Sequence, residues 1–159
     1  MSIDDTTIET NNQEIYDDFD ALVARWHDLV NTARDLAENG MVTEAVYQYQ
    51  QALLIAGELS WNEAELFNLR RLVNLLEDLG QGEEREKCLR QGIVIADELE
   101  EVGAKAWLCY QLSEMLWPEN KPEALYWCKS ALEAAPFPED WSAITLYYIT
   151  LGRYLRDEE

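Results

Sequence analysis

Residues 29–53 read LVNTARDLAENGMVTEAVYQYQQAL. Leu29, Thr32, Ala33 and Leu36 fall on one face of a first helix. Asn39-Gly40 then supplies a stop, since glycine readily takes the left-handed conformation that ends a helix. Ala45, Tyr49 and Ala52 fall on one face of a second helix. Large residues opposite small ones let two helices approach closely, so the stretch is expected to form a helical hairpin.

Working outward, the punctuation predicts seven helices and no strand. The first spans about 14–38 and the second about 42–59. Ser60-Trp61-Asn62-Glu63 matches a capping box, which starts a third helix at Trp61 that ends near Leu79. A fourth runs over about 83–100, with Gly103 as a break. A fifth covers about 104–117, where Pro118 stops it, and Pro122 sits in the first turn of a sixth that reaches Ala134. Pro136 and Pro138 punctuate the next turn, and a seventh helix covers about 139–156.

The hairpin recurs. Ala33 has counterparts at Val73, Ser113 and Gly152, at spacings of 40, 40 and 39. Leu36 is followed by Leu76, Leu116 and Leu155. In the second helices Ala45, Tyr49 and Ala52 recur as Arg85, Leu89 and Gly92, then as Ala124, Cys128 and Ala131. A fixed period across several sites is the signature of stacked helical hairpins. The first hairpin, with its small residue, its turn glycine and its Ala-aromatic-Ala second helix, resembles a tetratricopeptide repeat (TPR). The period is longer than the usual 34 residues, as in long-helix variants, and Arg85 departs from the small residue expected there. The resemblance covers about Trp26 to Leu155 and implies an all-α fold. That fold is a short TPR-like α-solenoid of three helical hairpins plus a C-terminal capping helix, over residues 15–159.

Composition narrows the function. The chain has 159 residues, enough to bury a core as one domain, and is 48% hydrophobic with six Trp and eight Tyr. Its net charge is −20 and its pI about 4.2, which disfavours nucleic acid and anionic membranes and favours basic proteins. Residues 1–14 are polar, acidic and without period, and read as a disordered tail. Met1 to Ala24 holds no Lys or Arg, against Asp4, Asp5, Glu9, Glu14, Asp17, Asp18 and Asp20. No apolar leader or membrane span is visible, so a cytoplasmic protein with reduced, buried thiols at Cys88, Cys109 and Cys128 is expected. His27 is the single histidine, so neither a zinc site nor a histidine-based nucleophile is expected. Phosphate-loop, HExxH and calcium-loop motifs are absent from the sequence, and no cofactor or enzymatic activity is expected.

The stacked-hairpin resemblance implies that the first helix of each pair lines a concave groove. That geometry assigns Asn31 and Arg34 to the groove from the first helix, and Phe67, Arg70, Arg71 and Asn74 from the third. Trp107, Tyr110, Gln111 and Glu114 come from the fifth, and Leu146, Ile149 and Arg153 from the seventh. Arginine and asparagine suit carboxylates, because their planar donors match the carboxylate oxygens. Some TPR proteins hold a peptide's C-terminal carboxylate with a basic residue and an Asn one turn apart. Arg70 and Asn74 resemble that pair, and Gln111 could supply a second amide. Leu146 and Thr150 stand where basic residues would complete the clamp. Trp107, Tyr110 and Trp117 form an aromatic stripe suited to anchoring an apolar side chain.

The expectation is therefore a non-enzymatic adaptor or scaffold that binds a peptide or helix of a partner protein in the groove. A small acidic cytoplasmic chaperone that holds a partner before assembly or export is a second reading. An acidic decoy of a basic nucleic-acid-binding protein is a third. On the seventh helix Ile144, Tyr148, Leu151 and Leu155 are expected to face inward. Trp141, Leu146, Tyr147, Ile149 and Tyr154 are then left on the surface, to be covered by a second copy in a homodimer or by the partner.

Overall fold

A computed structural model describes residues 5–117, 119–135 and 141–156, without the side chains of 5–17, 141–144 and 146. Among the described residues there are seven α-helices and no strand. They are α1 (Asp5–Glu38), α2 (Val42–Glu58), α3 (Asn62–Asp78), α4 (Gly82–Glu98), α5 (Val102–Leu116), α6 (Lys121–Ala134) and α7 (Trp141–Arg156). The all-α expectation holds. α1 starts at Asp5, well before the expected Glu14. Gly103 lies inside the first turn of α5 and breaks nothing. Pro118, Pro136 and Pro138 lie outside the described residues.

The turns repeat every 20 residues. Residues 40, 60, 80 and 100 have φ of 77°, 51°, 66° and 56°. In each turn the left-handed residue donates its N–H three residues back, and the next residue donates five back: Gly40 to Ala37 and Met41 to Leu36, Ser60 to Gly57 and Trp61 to Ala56. Gly80, Gln81, Glu100 and Glu101 follow the same pattern. These paired bonds are the Schellman motif, which satisfies the last carbonyls of each helix. Ser60 is thus the left-handed residue that closes α2, not the cap that opens α3, and α3 begins at Asn62 rather than Trp61. Seventeen-residue helices joined by three-residue turns give the 40-residue hairpin period.

The chain divides into two compact units, Met1–Ala64 and Glu65–Glu159. In the first, α1 packs on α2, and Ala33, Ala45, Tyr49 and Ala52 are all buried. Trp26 is buried against Trp61, their ring centroids 4.9 Å apart. In the second unit α4 packs on α5, α5 on α6, and α6 on α7. The small-residue pattern holds at Gly92, Ala124, Cys128 and Ala131, all buried. At Gly92 the approach is closest: an added Cβ would stand 3.1 Å from Leu108 Cδ1. Val73 and Ser113 are buried, but Gly152, their expected counterpart, is exposed with open space around its Cα.

The phase of α7 also differs from expectation. Tyr147, Thr150 and Tyr154 face inward and are buried, whereas Tyr148 and Leu155 are exposed. Tyr154 fills a pocket with Ala124 and Cys128, flanked by Leu116, Trp117 and Leu151. Its ring lies parallel to that of Trp117 at 3.7 Å. This stacking, with a hydrogen bond from the Tyr154 hydroxyl to Glu114 Oε1 at 2.7 Å, fixes the rotation of the helix. The side chains of Trp141, Ile144 and Leu146 lie outside the described set.

Candidate functional site

α3 and α5 between them carry a cluster of cations and aromatics. Successive helical residues turn by about 100°, so Phe67, Arg70, Arg71 and Asn74 share one side of α3 while Leu69, Leu72, Val73 and Leu76 are buried on the other. Phe67, Arg70, Arg71 and Asn74 line one open cavity of about 330 Å³ with Trp107 from α5. The Arg70 guanidinium carbon sits 5.6 Å from the centroid of the Trp107 ring, and that of Arg71 sits 5.3 Å from the Phe67 ring. Both are cation–π distances, and they hold the guanidinium planes against apolar surface while leaving N–H donors open to solvent. Arg70, Arg71 and Asn74 are exposed and Trp107 is half-buried.

Cation–π contacts, rather than ion pairs, hold these two arginines of α3. Five other cations of the unit meet carboxylates: Arg85 with Glu77 at 3.1 Å, Lys87 with Glu83 and Glu84, Arg90 with Glu86 and Glu123, Lys105 with Asp97, and Arg153 with Glu114. Among the described residues no carboxylate lies within ion-pair distance of Arg70 or Arg71. In a chain of 32 acids and 12 Lys and Arg, two adjacent arginines without a carboxylate are a conspicuous vacancy for negative charge.

The other expected groove residues do not join this cavity. Asn31 and Arg34 belong to the first unit, where Arg34 donates to Asn31 Oδ1. Gln111 accepts a 2.7 Å bond from Arg85, so its carbonyl already serves a donor of α4. Arg85 is the large residue at a small-residue site. It is buried, and its guanidinium reaches both Gln111 and Glu77. Glu114 accepts from Arg153 at 2.6 Å and from Tyr154 at 2.7 Å, which ties α5 to α7. Tyr110 stacks on Tyr147, centroids 4.7 Å apart, and Trp117 stacks on Tyr154. The aromatic stripe of α5 is therefore split: Trp107 turns to the cavity, while Tyr110 and Trp117 pack α7. Tyr147, expected on the surface, is only 4% exposed, because its ring lies over Tyr110. Ile149 is 62% exposed, as expected, and Leu146 falls outside the described side chains.

Titratable groups elsewhere are tuned by packing. Burial pushes the thiols of Cys88, Cys109 and Cys128 up to about 11, so they stay protonated and weakly nucleophilic at neutral pH. Burial also raises the Tyr154 hydroxyl, and its bond to Glu114 adds to the effect. His27 is exposed and meets the Trp26 ring edge-on at 4.9 Å.

A second concavity lies on the other side of the same unit, lined by α4, α5 and α6, and it was not anticipated from sequence. Val94, Asp97, Lys105, Tyr126, Trp127 and Glu133 border it, around about 560 Å³. Its walls come from helices some thirty residues apart, so no local motif announces it. No helix among the described residues is long and apolar enough to cross a membrane. Compared with known proteins, the chain matches no family model and no curated sequence.

Proposed function

We propose that the chain is a TPR-like, non-enzymatic interaction module that holds an acidic peptide or helix of a partner protein in the cavity between α3 and α5. The observation that carries this reading is the absence of any carboxylate, among the described residues, within ion-pair distance of Arg70 or Arg71. An incoming carboxylate would accept bidentate bonds from a guanidinium and one from the Asn74 amide. Trp107 and Phe67 supply a flat apolar surface for the neighbouring side chain, and aromatic anchors of this kind dominate binding energies. The 20-residue recurrence of left-handed turns supports the helical-repeat reading on which the TPR likeness rests.

The test begins by identifying the bound protein through capture from a lysate and mass spectrometry. Its binding is then measured with the paired variant Arg70→Ala/Arg71→Ala. Affinity should fall several-fold with the thermal midpoint near that of the parent, because both side chains are exposed. Affinity should survive a rise in salt better than a purely charge-driven contact, since Trp107 shares the work. An unchanged affinity in the paired variant overturns the reading.

A further inference from the structure

We propose that the concavity lined by α4, α5 and α6 is a second docking surface, and that it takes a basic amphipathic segment of another protein. It stands apart from the arginine cavity. Trp107 and Cys109 are two residues apart on α5, so their side chains leave the helix about 160° from each other, and they line different concavities.

The lining mixes large apolar groups with charged ones. Val94 on α4 is 57% exposed and Tyr126 on α6 is 61% exposed. Tyr126 stands edge-on to Trp127 at 5.0 Å, and Trp127 is itself held by a bond from its indole N–H to Glu123. Large apolar groups presented from two helices across one concavity are the pattern of a surface that meets another protein. Its volume of about 560 Å³ exceeds what a single side chain fills, which suits the turn of a helix.

Charge chooses the occupant. The border carries the carboxylates of Asp97, Glu98 and Glu133 and one ammonium, that of Lys105. Lys105 is bound to Asp97, and that bond raises its pKa, so its charge is already answered within the chain. The lining thus carries three carboxylates against one ammonium, a formal excess of two negative charges, which repels acidic segments and attracts Lys- or Arg-bearing ones.

The experiment uses the full chain and two synthetic 14-residue amphipathic peptides. One alternates a leucine face with lysines; the other replaces every lysine with glutamate. Binding is followed by calorimetry at 0.15 M salt, where charges more than about 8 Å apart are largely screened. The lysine peptide should bind at a single site and the glutamate peptide should not bind there. Val94→Ser/Tyr126→Ala should weaken the lysine peptide at least ten-fold, and Glu133→Gln two- to five-fold. If the paired variant lowers the melting midpoint, Val94→Ser alone carries the test, with a loss of at least three-fold expected. Arg70→Ala/Arg71→Ala should leave this peptide's affinity unchanged, so failure here and failure of the arginine cavity are read separately. The proposal is overturned if the lysine peptide does not bind, or if the concavity variants bind it as the parent does. It is also overturned if sedimentation shows a dimer that Tyr126→Ala converts to a monomer, because a second copy would then be the occupant.

Discussion

α5 faces α3 on one side and α7 on the other, with the same residue types at both contacts. Toward α3, Trp107 meets Arg70 above an open cavity. Toward α7, Tyr110 and Trp117 meet Tyr147 and Tyr154, while Glu114 meets Arg153. Aromatics, an arginine and hydrogen-bonding groups occur on each side. The difference is whether the chain supplies the complementary group. Glu114 answers Arg153, whereas no described carboxylate answers Arg70 or Arg71. Residue type alone therefore does not separate a binding surface from a helix contact. In the proposed function, Arg70 and Arg71 are the cations left for a partner's carboxylate.

The widest gap between the two sides should show in aromatic truncation. Tyr154→Ala removes a fully buried ring stacked on Trp117 and should cost about 3–5 kcal/mol of unfolding free energy, in line with other large-to-small core changes. Trp107→Ala, at a half-buried ring over a cavity, should cost about 1 kcal/mol. Urea titrations of both variants measure the gap. Equal losses would mean that Trp107 is core and that the cavity side is no more open than the other.

A smaller contrast lies between two arginines. Arg85→Ala removes the bonds to Gln111 and Glu77 and leaves a part-buried acceptor without its donor, a change worth about 1–3 kcal/mol. Arg70→Ala should stay within about 0.5 kcal/mol of the parent, as exposed substitutions usually do. If the two are alike in chemical denaturation, the distinction between answered and unanswered arginines is lost.

Helix orientation ahead of both contacts depends on the turn at Glu100, which holds φ 56° without being glycine. The left-handed conformation costs a non-glycine residue roughly 1–2 kcal/mol, partly offset in the comparison by the greater freedom of glycine in the unfolded chain. Glu100→Gly should therefore raise stability by about 1 kcal/mol while leaving both sides of α5 unchanged. A lower thermal midpoint would show that the Glu100 side chain contributes something the turn geometry does not reveal.

Much of this was legible in the sequence, for identifiable reasons. Ala45, Ala124, Cys128 and Ala131 repeat at a spacing that only a close helix pair requires, and all are buried. The stacked-hairpin resemblance implies one surface for Phe67, Arg70, Arg71, Asn74 and Trp107, and these five line one cavity. On α7 the face expected from Ile144, Tyr148, Leu151 and Leu155 is rotated by about 90° from the buried one, which includes the polar Thr150 that hydropathy does not select. What selects it is chemistry on α5: Glu114 as acceptor and Trp117 as stacking partner. Ser60, followed three residues later by Glu63, fits a capping box in sequence, yet it stands at φ 51° in one structural series with Gly40, Gly80 and Glu100. The concavity over Val94 and Tyr126 left no trace, since it depends on two helices meeting across a third.

The smallest expected effect concerns an ion pair that closes the side opposite the arginine cavity. Arg90 on α4 donates to Glu123 on α6 at 2.7 Å, and the Trp127 indole donates to the same oxygen at 3.2 Å. The Arg90 bond first, and the Trp127 bond second, hold the Glu123 carboxyl below the usual glutamate range. A carboxyl whose folded pKa is depressed stabilises the fold fully above its unfolded pKa, and loses that contribution as pH falls through the folded value. The pair is partly exposed, so solvent screening limits its worth to about 0.5 kcal/mol. Glu123→Gln should thus lower stability slightly at pH 7, and the difference from the parent should shrink toward zero as the solution is acidified through the depressed pKa. Arg70→Ala should show no such convergence, because no described carboxylate of the chain titrates against that guanidinium. A pH series of urea titrations on the two variants separates them. A Glu123→Gln difference that stays constant down to strongly acidic pH would mean that its carboxylate charge contributes nothing, and that the α4–α6 contact rests on the Trp127 ring alone.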